Sequence, residues 1–302
     1  MNRRFRFSIL AACASALALA AAAPAQADPS LWVAKSKGST VYLFGTVHLL
    51  PPELSWRDPA IDRALHDSDA LWLEIVLPVT AAGSKAAMKP EELQRAQQLI
   101  ASSGTSPTTK LSSLLTPDEW MQLTANIHAP PEALEHLRPW LAVLQLTEAI
   151  TAKVGWTNDA GADVVLNREA LAQEKPVQGL ETIEQQLRFF ADMSPEVELA
   201  LLRQSLAEIS QGEARAREIA TAWSAGDDKT LTGLMITQMQ TKAPDLYQRL
   251  VVARNHAWVP QIEQMLKTPG VRFVAVGDAH LLGPDGVPAL LKADGLRVER
   301  VR

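Results

Sequence analysis

Cysteine is almost absent from this chain. Cys13 is the only cysteine among 302 residues, and it lies within an N-terminal stretch that has the pattern of an export signal. A single thiol excludes an intramolecular disulfide, and its place in the leader excludes a thiolate metal site or a cysteine nucleophile in the processed chain. The chemistry of this protein is therefore expected to depend on other residue types.

Basic residues are outnumbered, and long apolar runs are lacking beyond the N-terminus. The chain has 29 Lys and Arg against 34 Asp and Glu, which gives a net charge of −5. Such an acidic balance disfavours nucleic acid and anionic membranes as partners. After residue 27, no stretch approaches the ~20 consecutive apolar residues that a membrane span requires. We predict neither a nucleic-acid partner nor a membrane span.

Several common catalytic motifs are also missing. The chain contains no P-loop, no G-x-G-x-x-G after a strand, no H-E-x-x-H and no G-x-S-x-G. Nucleotide binding and serine hydrolysis of the common kinds are therefore not indicated.

Residues 1–27 have the pattern of a cleaved signal peptide. Three arginines precede an Ala- and Leu-rich run over residues 9–23, and Ala25-Gln26-Ala27 supplies the small residues of a cleavage site. We therefore predict an exported protein, either periplasmic or secreted. The apolar region continues for ten residues beyond Cys13, so a lipid anchor at that cysteine is not expected.

The hydrophobic pattern predicts strands near both ends of the chain. Residues 31–35 and 40–44 flank a glycine turn and are expected to form a hairpin. Residues 70–77 have the near-continuous apolar run of a buried strand. Asp58-Pro59 begins a helix between them, which predicts a parallel crossover. Further elements are expected as strands at 175–178, 271–276 and 296–301 and as a helix at 286–293.

The middle of the chain is predicted to be helical. Capping signals and amphipathic stretches alternate there, with the signals at Thr116, Thr182 and Ser194 and the stretches at 140–154, 195–209 and 245–266. The pattern predicts an α/β fold of the mixed α+β kind, whose central mixed sheet comes from the N- and C-terminal strands and is flanked by helices. We expect residues 28–302 to form a single domain with a helical insertion over about 85–260.

One ten-residue pattern occurs twice. An apolar strand, a glycine, two residues, a histidine and Leu-Leu surround Gly45 and His48, and again Gly277 and His280. A histidine three residues past a strand-ending glycine lies on the loop at the carboxyl end of that strand, where glycine lets the backbone turn sharply or approach a ligand closely. If the two strands are parallel neighbours, both imidazoles lie at the same edge of the sheet.

Glu74 is the third candidate, because it lies within the apolar run that ends at Leu77. An unpaired carboxylate in a buried strand is costly or must bind a proton, so Glu74 needs a metal ion, an arginine or a histidine as partner. The predicted crossover brings it close to the loop of His48. A purely structural ion pair, or a position at the exposed end of the strand, is the alternative.

Two histidines and a carboxylate are a common ligand set for a hydrolytic metal. Neutral imidazole and carboxylate suit zinc, manganese, cobalt or iron and leave positions open for a water whose pKa the ion lowers. Without a metal, the same residues could act as general base and orienting groups in an esterase-type hydrolase. A third interpretation is a binding module whose paired histidines hold haem or a peptide. The residues alone leave all three open.

Other polar residues are candidates for supporting roles. Asp278 lies inside the second motif and could bind metal, orient a histidine or cap a turn. Arg254 and Asn255 lie in a predicted helical stretch interrupted at a proline, and the arginine could pair with the strand glutamate or bind a substrate carboxylate. Glu181 precedes a capped helix, and Asp163 follows a glycine.

These motifs resemble those of the TraB/GumN family, which includes the Tiki-type metalloproteases and is more distantly related to erythromycin-esterase-like hydrolases. The similarity extends from Leu31 to Val301. Its matching parts are Gly45-Thr46-Val47-His48, Glu74, Gly161-Ala162-Asp163, the run from Lys175 to Thr182, Arg254-Asn255 with Trp258, and Gly277-Asp278-Ala279-His280 followed by Gly286.

The resemblance implies a metal-dependent, peptidase-like hydrolase whose substrate would be a peptide or a small ester. His48, Glu74 and His280 would hold divalent manganese, cobalt or zinc, and Arg254 would stabilise developing charge. The family often has Leu-Glu-x-Asp at the first carboxylate. Here Ile75-Val76 follows the glutamate, so the second acidic ligand is missing from that position.

Overall fold

The structure is a computed structural model that describes residues 27–77 and 89–301. The predicted signal peptide, except for Ala27, lies outside the described residues. The strands of the described residues are β1 (Leu31–Ser36), β2 (Ser39–Thr46), β3 (Ala70–Leu73), β4 (Val177–Gly179), β5 (Gly270–Gly277) and β6 (Val298–Arg300). They form one six-stranded sheet in the order β4-β3-β5-β2-β1-β6.

Helices account for most of the rest of the described chain. They are α1 (Pro59–His66), α2 (Pro90–Ser103), α3 (Pro117–Asn126), α4 (Pro131–Leu134), α5 (Pro139–Lys153), α6 (Ala162–Ala172), α7 (Ile183–Ala191), α8 (Pro195–Ala207), α9 (Ile209–Ser224), α10 (Asp228–Leu231), α11 (Gln238–Lys242), α12 (Pro244–Tyr247), α13 (Ala253–Lys267) and α14 (Val287–Ala293). Short 3-10 turns cover Leu111–Leu114, Asn158–Ala160 and Asp278–His280, and π-helical turns cover Thr232–Thr237 and Gln248–Val252. The predicted mixed α/β fold with a helical middle is confirmed.

The local signals read from the sequence have the expected geometry. Thr116 and Thr182 each accept a hydrogen bond from the third residue of the helix they cap, whose side chain reciprocates. Asp58 caps α1, with proline at the first helical position. Helix α13 continues through Pro260, and the bend expected at this proline stays a prediction. Its buried residues pack along the sheet on both sides of the proline, which favours an uninterrupted helix.

The two glycine–histidine motifs lie on adjacent parallel strands. Strands β2 and β5 pair in parallel, with Thr46 opposite Gly277. Strand β3 is parallel to β5 on its other side. The predicted parallel relation of β2 and β3 is thus confirmed, but β5 lies between them instead of the two being neighbours. Three parallel strands therefore end at one edge of the sheet, which carries His48, Glu74 and His280.

Strand β3 is shorter than the apolar run predicted. It ends at Leu73, so the expectation that Glu74 lies within a strand extending to Leu77 is wrong. After Leu73 the backbone instead contacts the segment after β4, where the amide of Glu181 donates to the carbonyl of Glu74 at 2.8 Å. The turn directs the glutamate side chain across the end of β5, toward Gly277.

Successive side chains of each strand point to opposite faces of the sheet, so a hydrophobic core forms on each face. On one face, Phe44 and Phe273 pack with Trp223 of α9 and with residues of α1 and α6. On the other, Leu43 and Val274 pack against α13 and α14. This gives the layered helix–sheet–helix arrangement in which both sheet faces are protected from water.

A third cluster lies within the helical middle. Residues of α3, α5 and α8 pack there around Leu123, Leu146 and Leu202. The prediction of one domain with an inserted helical segment stays a prediction. In the parts of the chain that the structure describes, no helix is both long and apolar enough to cross a membrane.

Candidate active site

His48 is oriented by a carboxylate on helix α6. Asp163 Oδ2 lies 3.1 Å from His48 Nδ1. The amide of Ala162 donates to the carbonyl of Val47, which fixes the start of α6 against the histidine loop. Gly161 permits this contact, since a Cβ there would lie 2.2 Å from the carbonyl oxygen of His48. With Nδ1 bound to Asp163, the other ring nitrogen, Nε2, is directed toward Gly277.

Glu74 is buried at the end of β3, and both of its oxygens accept hydrogen bonds. Oε1 accepts from the backbone amide of Gly277 at 2.7 Å. Oε2 accepts from Arg254 Nη2 at 2.6 Å and from Gln186 Nε2 at 3.0 Å. The carboxylate is therefore held as an anion by a cation, an amide side chain and the end of the neighbouring strand.

Arg254 connects two buried carboxylates. Besides Glu74, it binds Glu181 through Nε at 2.9 Å and Nη2 at 2.8 Å. Its guanidinium lies over the rings of Phe189 and Trp258, at 5.2 and 4.8 Å from their centroids. Arg254 thus pairs with the predicted glutamate, and its remaining donors are directed at protein groups.

Asn255 determines which nitrogen of His280 carries the proton. Its Nδ2 donates to the carbonyl of Asp285 at 2.7 Å, so Oδ1 is left as the acceptor that contacts His280 Nδ1 at 2.7 Å. The proton assigned from this network therefore lies on Nδ1. The bare Nε2 accepts from Arg254 Nη1 at 3.1 Å.

The predicted convergence of the two histidines and the glutamate is found at Gly277. A Cβ on this residue would lie 3.0 Å from Glu74 Oε1, 3.7 Å from His280 Cδ2 and 3.7 Å from His48 Nε2. Glycine is needed here because any side chain would fill the space that these three groups share. The second motif therefore contributes both Gly277 and His280 to the site.

The charges of the two histidines differ because their surroundings differ. Desolvation lowers the pKa of His48, but the hydrogen bond and charge of Asp163 outweigh it and raise that pKa to about 9. Burial lowers the pKa of His280 to about 3, so its imidazole is neutral. Burial alone would raise the pKa of Glu74, whereas the charge of Arg254 and the hydrogen bond from the Gly277 amide hold it well below its usual range.

A cleft of about 570 Å³ opens beside these groups. Its polar lining includes His48, Glu74, Asp163 and Gln186, and apolar side chains such as Leu77 complete its wall. Arg254 and His280 are not among its lining residues. A bound substrate would therefore contact His48 and Glu74, while Arg254 and His280 support Glu74 from beneath. This placement does not favour the expected contact of Arg254 with a substrate.

The arrangement does not fit a divalent ion at the three predicted ligands. Arg254 occupies the lone pair of His280 Nε2 and one oxygen of Glu74, the positions that an ion would need. No set of three or more His, Cys, Asp or Glu side chains suited to a metal occurs among residues 27–77 and 89–301. The manganese, cobalt or zinc ion expected from the sequence stays a prediction.

Two predicted supporting residues lie away from the cleft. Asp278 is directed toward Gly45, where a Cβ would lie 1.9 Å from its Oδ1. Neither oxygen of Asp278 has a hydrogen-bond partner among the described residues. Burial raises the pKa of Asp278 to about 7. The absence of a side chain at Gly45 therefore leaves room for Asp278. The carbonyl of Gly45 accepts a hydrogen bond from Trp223 Nε1 at 2.9 Å.

Gln186 and Asn167 are site residues that the sequence patterns did not indicate. Gln186 binds Glu74 from α7, and Asn167 lines the cleft one helical turn after Asp163. The capping box at Thr182 did predict the start of α7. The capping box does not show that α7 begins beside the edge of the sheet, because that position depends on the order of the strands.

Comparison with known proteins identifies the family of this chain. A model of the TraB/PrgY/gumN family matches residues 30–300. An uncharacterized protein of Treponema pallidum (strain Nichols) is 23% identical to the chain over 270 residues, which cover 85% of this chain and 78% of that protein. The family match includes both glycine–histidine loops, β3 and α13. The chain therefore belongs to the TraB/PrgY/GumN family, as its motifs predicted.

Proposed function

We propose that this protein is a hydrolase in which His48 acts as general base and general acid. Asp163 orients the imidazole of His48 and favours its protonated form. The observation that carries the proposal is the position of His48 Nε2, which meets Glu74 at Gly277 beside the cleft. Asp163 on Nδ1 leaves Nε2 as the nitrogen available to a reacting water. The substrate class proposed is a peptide or a small ester, as the sequence resemblance implies.

The chemistry follows from the properties of this dyad. Neutral His48 accepts a proton from water through Nε2 while the water oxygen attacks the carbonyl carbon. The imidazolium then returns the proton to the leaving group. Asp163 and Glu74 both stabilise the imidazolium, because their negative charges raise the pKa of His48. The proposed steps do not depend on the predicted metal ion.

Export belongs to the proposal as well. The sequence pattern of residues 1–27 supports action in the periplasm or outside the cell. Peptides and esters of the envelope would then be the accessible substrates.

The test uses a panel of fluorogenic peptides and small nitrophenyl esters with the purified chain in EDTA. We expect hydrolysis of at least one class, with kcat/KM rising with pH up to about 9, where His48 loses its proton. His48→Gln should lower kcat by about 100-fold or more, whereas His66→Gln, which changes an exposed histidine of α1, should not. Full activity of His48→Gln would refute the assignment.

A further inference from the structure

The cation that contacts Glu74 and His280 belongs to the protein chain itself. Arg254 Nη1 lies 3.1 Å from the bare Nε2 of His280, and Nη2 lies 2.6 Å from Glu74 Oε2. A divalent ion held by these side chains needs the same lone pairs. The guanidinium and a metal ion therefore compete for the same two residues.

Arg254 is fixed in this position by groups other than those two. Glu181 binds it through two nitrogens, and the rings of Phe189 and Trp258 cover the guanidinium. The planar guanidinium suits such paired and stacked contacts better than an ammonium would. Displacing Arg254 from Glu74 would disturb the Glu181 pair as well, so an incoming ion would have to break several contacts at once.

We propose that Arg254 is a built-in cation that replaces a divalent metal at Glu74 and His280, and that removing it uncovers a latent metal site. The proposal concerns metal binding. It goes beyond the proposed hydrolysis, which can fail or succeed independently of it.

The side chains that remain after removal of Arg254 are of the types that bind a divalent ion. His280 Nε2 lies 3.7 Å from Glu74 Oε1, and Asn255 holds the tautomer that leaves Nε2 bare. His48 Nε2 faces the same space at Gly277. With Arg254 in place, these side chains do not form a metal-binding set. Imidazole nitrogens and a carboxylate are nevertheless ligands that zinc, cobalt or manganese accepts once the guanidinium is gone.

The experiment measures metal content directly. Purified full-length chain is stripped with EDTA, freed of the chelator, incubated with zinc chloride, separated from unbound zinc by gel filtration and submitted to elemental analysis. Arg254→Met is compared with wild type and with Arg249→Met, which removes a guanidinium from the preceding π-helical turn. Among the described residues, that guanidinium donates a hydrogen bond to the carbonyl of Phe189. We expect about one zinc ion per chain in Arg254→Met, and less than about a tenth of that in the other two proteins.

Two further variants make the result specific to the proposed donors. Adding His280→Ala to Arg254→Met should abolish the bound zinc. Because loss of a buried cation leaves two carboxylates unpaired, Arg254→Met is also combined with Glu181→Gln, which removes one of those charges. Zinc should raise the Tm of this double variant and leave that of wild type unchanged.

Three outcomes would overturn the proposal. One is about one retained zinc ion per chain in wild type. Another is a folded Arg254→Met protein, shown by far-UV circular dichroism and cooperative unfolding, that binds no zinc. The third is equal zinc binding with and without His280→Ala. If neither arginine variant folds, the zinc content of wild type decides: a stoichiometric ion refutes the built-in cation, and its absence supports it.

Discussion

At the scale of single residues, the same residue type has opposite properties in the two motifs. His48 keeps about half of its side chain exposed and gains a carboxylate partner, which raises its pKa. His280 is buried against Trp258 and Arg254, so it stays neutral and supports the site from within. The duplicated sequence pattern identified both histidines, but their neighbours come from distant helices. Their different roles therefore follow from tertiary contacts.

The first prediction concerns the partner of His48. In Asp163→Asn, loss of the negative charge should bring the pKa of His48 well below 9, since this charge opposes the effect of desolvation. Titration of the His48 ring resonances by NMR measures the change without any substrate. Asp159→Asn is the matched control, because Asp159 lines the same cleft but pairs with Arg168. An unchanged titration in Asp163→Asn would contradict the dyad.

The second prediction concerns the space at Gly277. A methyl group in Gly277→Ala would lie 3.0 Å from Glu74 Oε1 and force a shift of the carboxylate. We expect a loss of about 1–3 kcal/mol in the free energy of unfolding, and a fall in hydrolytic kcat of about 100-fold from the misplacement. Gly233→Ala, which meets no atom within 4 Å, should leave activity unchanged. Urea unfolding and activity assays separate the two variants.

At the scale of elements, a short local signal determines where one helix of the site begins. The capping box of α7 orients the helix that carries Gln186, and because it depends on neighbouring residues in the chain, the sequence predicted it. Helix α6 places Asp163 in its first turn but begins at Gly161 without a side-chain cap, and the sequence did not predict its start. The end of β3 was predicted less well, because it depends on contacts with β5 and with the segment after β4.

The third prediction tests one of these helix starts. Thr182→Ala removes a cap of α7 and should cost about 1 kcal/mol of stability. Fraying of the first turn should also loosen the hydrogen bond from Gln186 to Glu74 and reduce hydrolytic activity. Thr116→Ala removes the equivalent cap of α3 at a distance from the cleft. Chemical denaturation should show a similar loss for both variants, while a matching loss of activity in Thr116→Ala would contradict the local explanation.

At the scale of the whole molecule, the sheet order brings distant parts of the chain to one edge. Strand β5, from the end of the chain, inserts between β2 and β3, and α13 covers the face from which Arg254 reaches Glu74. The site is therefore assembled only when the ends of the chain have folded together. Its stability and that of the sheet should respond together to pH.

The fourth prediction follows from the opposite pKa shifts of the two histidines. The folded pKa of His280, about 3, lies below its ordinary value of 6.5, so its contribution to stability is present above pH 6.5 and is lost as the pH falls toward 3. The folded pKa of His48, about 9, lies above 6.5, so its contribution is present below pH 6.5 and is lost as the pH rises toward 9.

Urea unfolding at pH 5, 7 and 9 measures these contributions. His280→Gln should reduce the fall in the free energy of unfolding between pH 7 and pH 5. His48→Gln should reduce the fall between pH 7 and pH 9. Each variant serves as the control for the other, because the two histidines titrate in different pH ranges. Identical pH dependence of wild type and both variants would show that neither shift is linked to folding.

The sequence by itself determined the secondary structure of most elements, the family and the three side chains that meet at Gly277, namely His48, Glu74 and His280. These follow from periodicity, capping residues and a repeated motif, all of which act over a few neighbouring positions. Only the tertiary structure decided that Arg254 binds the lone pairs of Glu74 and His280 that a metal ion would need. It also decided that Asp278 faces Gly45 instead of the cleft. Those outcomes depend on strand order and on the direction of side chains in a packed interior, where residues far apart in the chain compete for the same space.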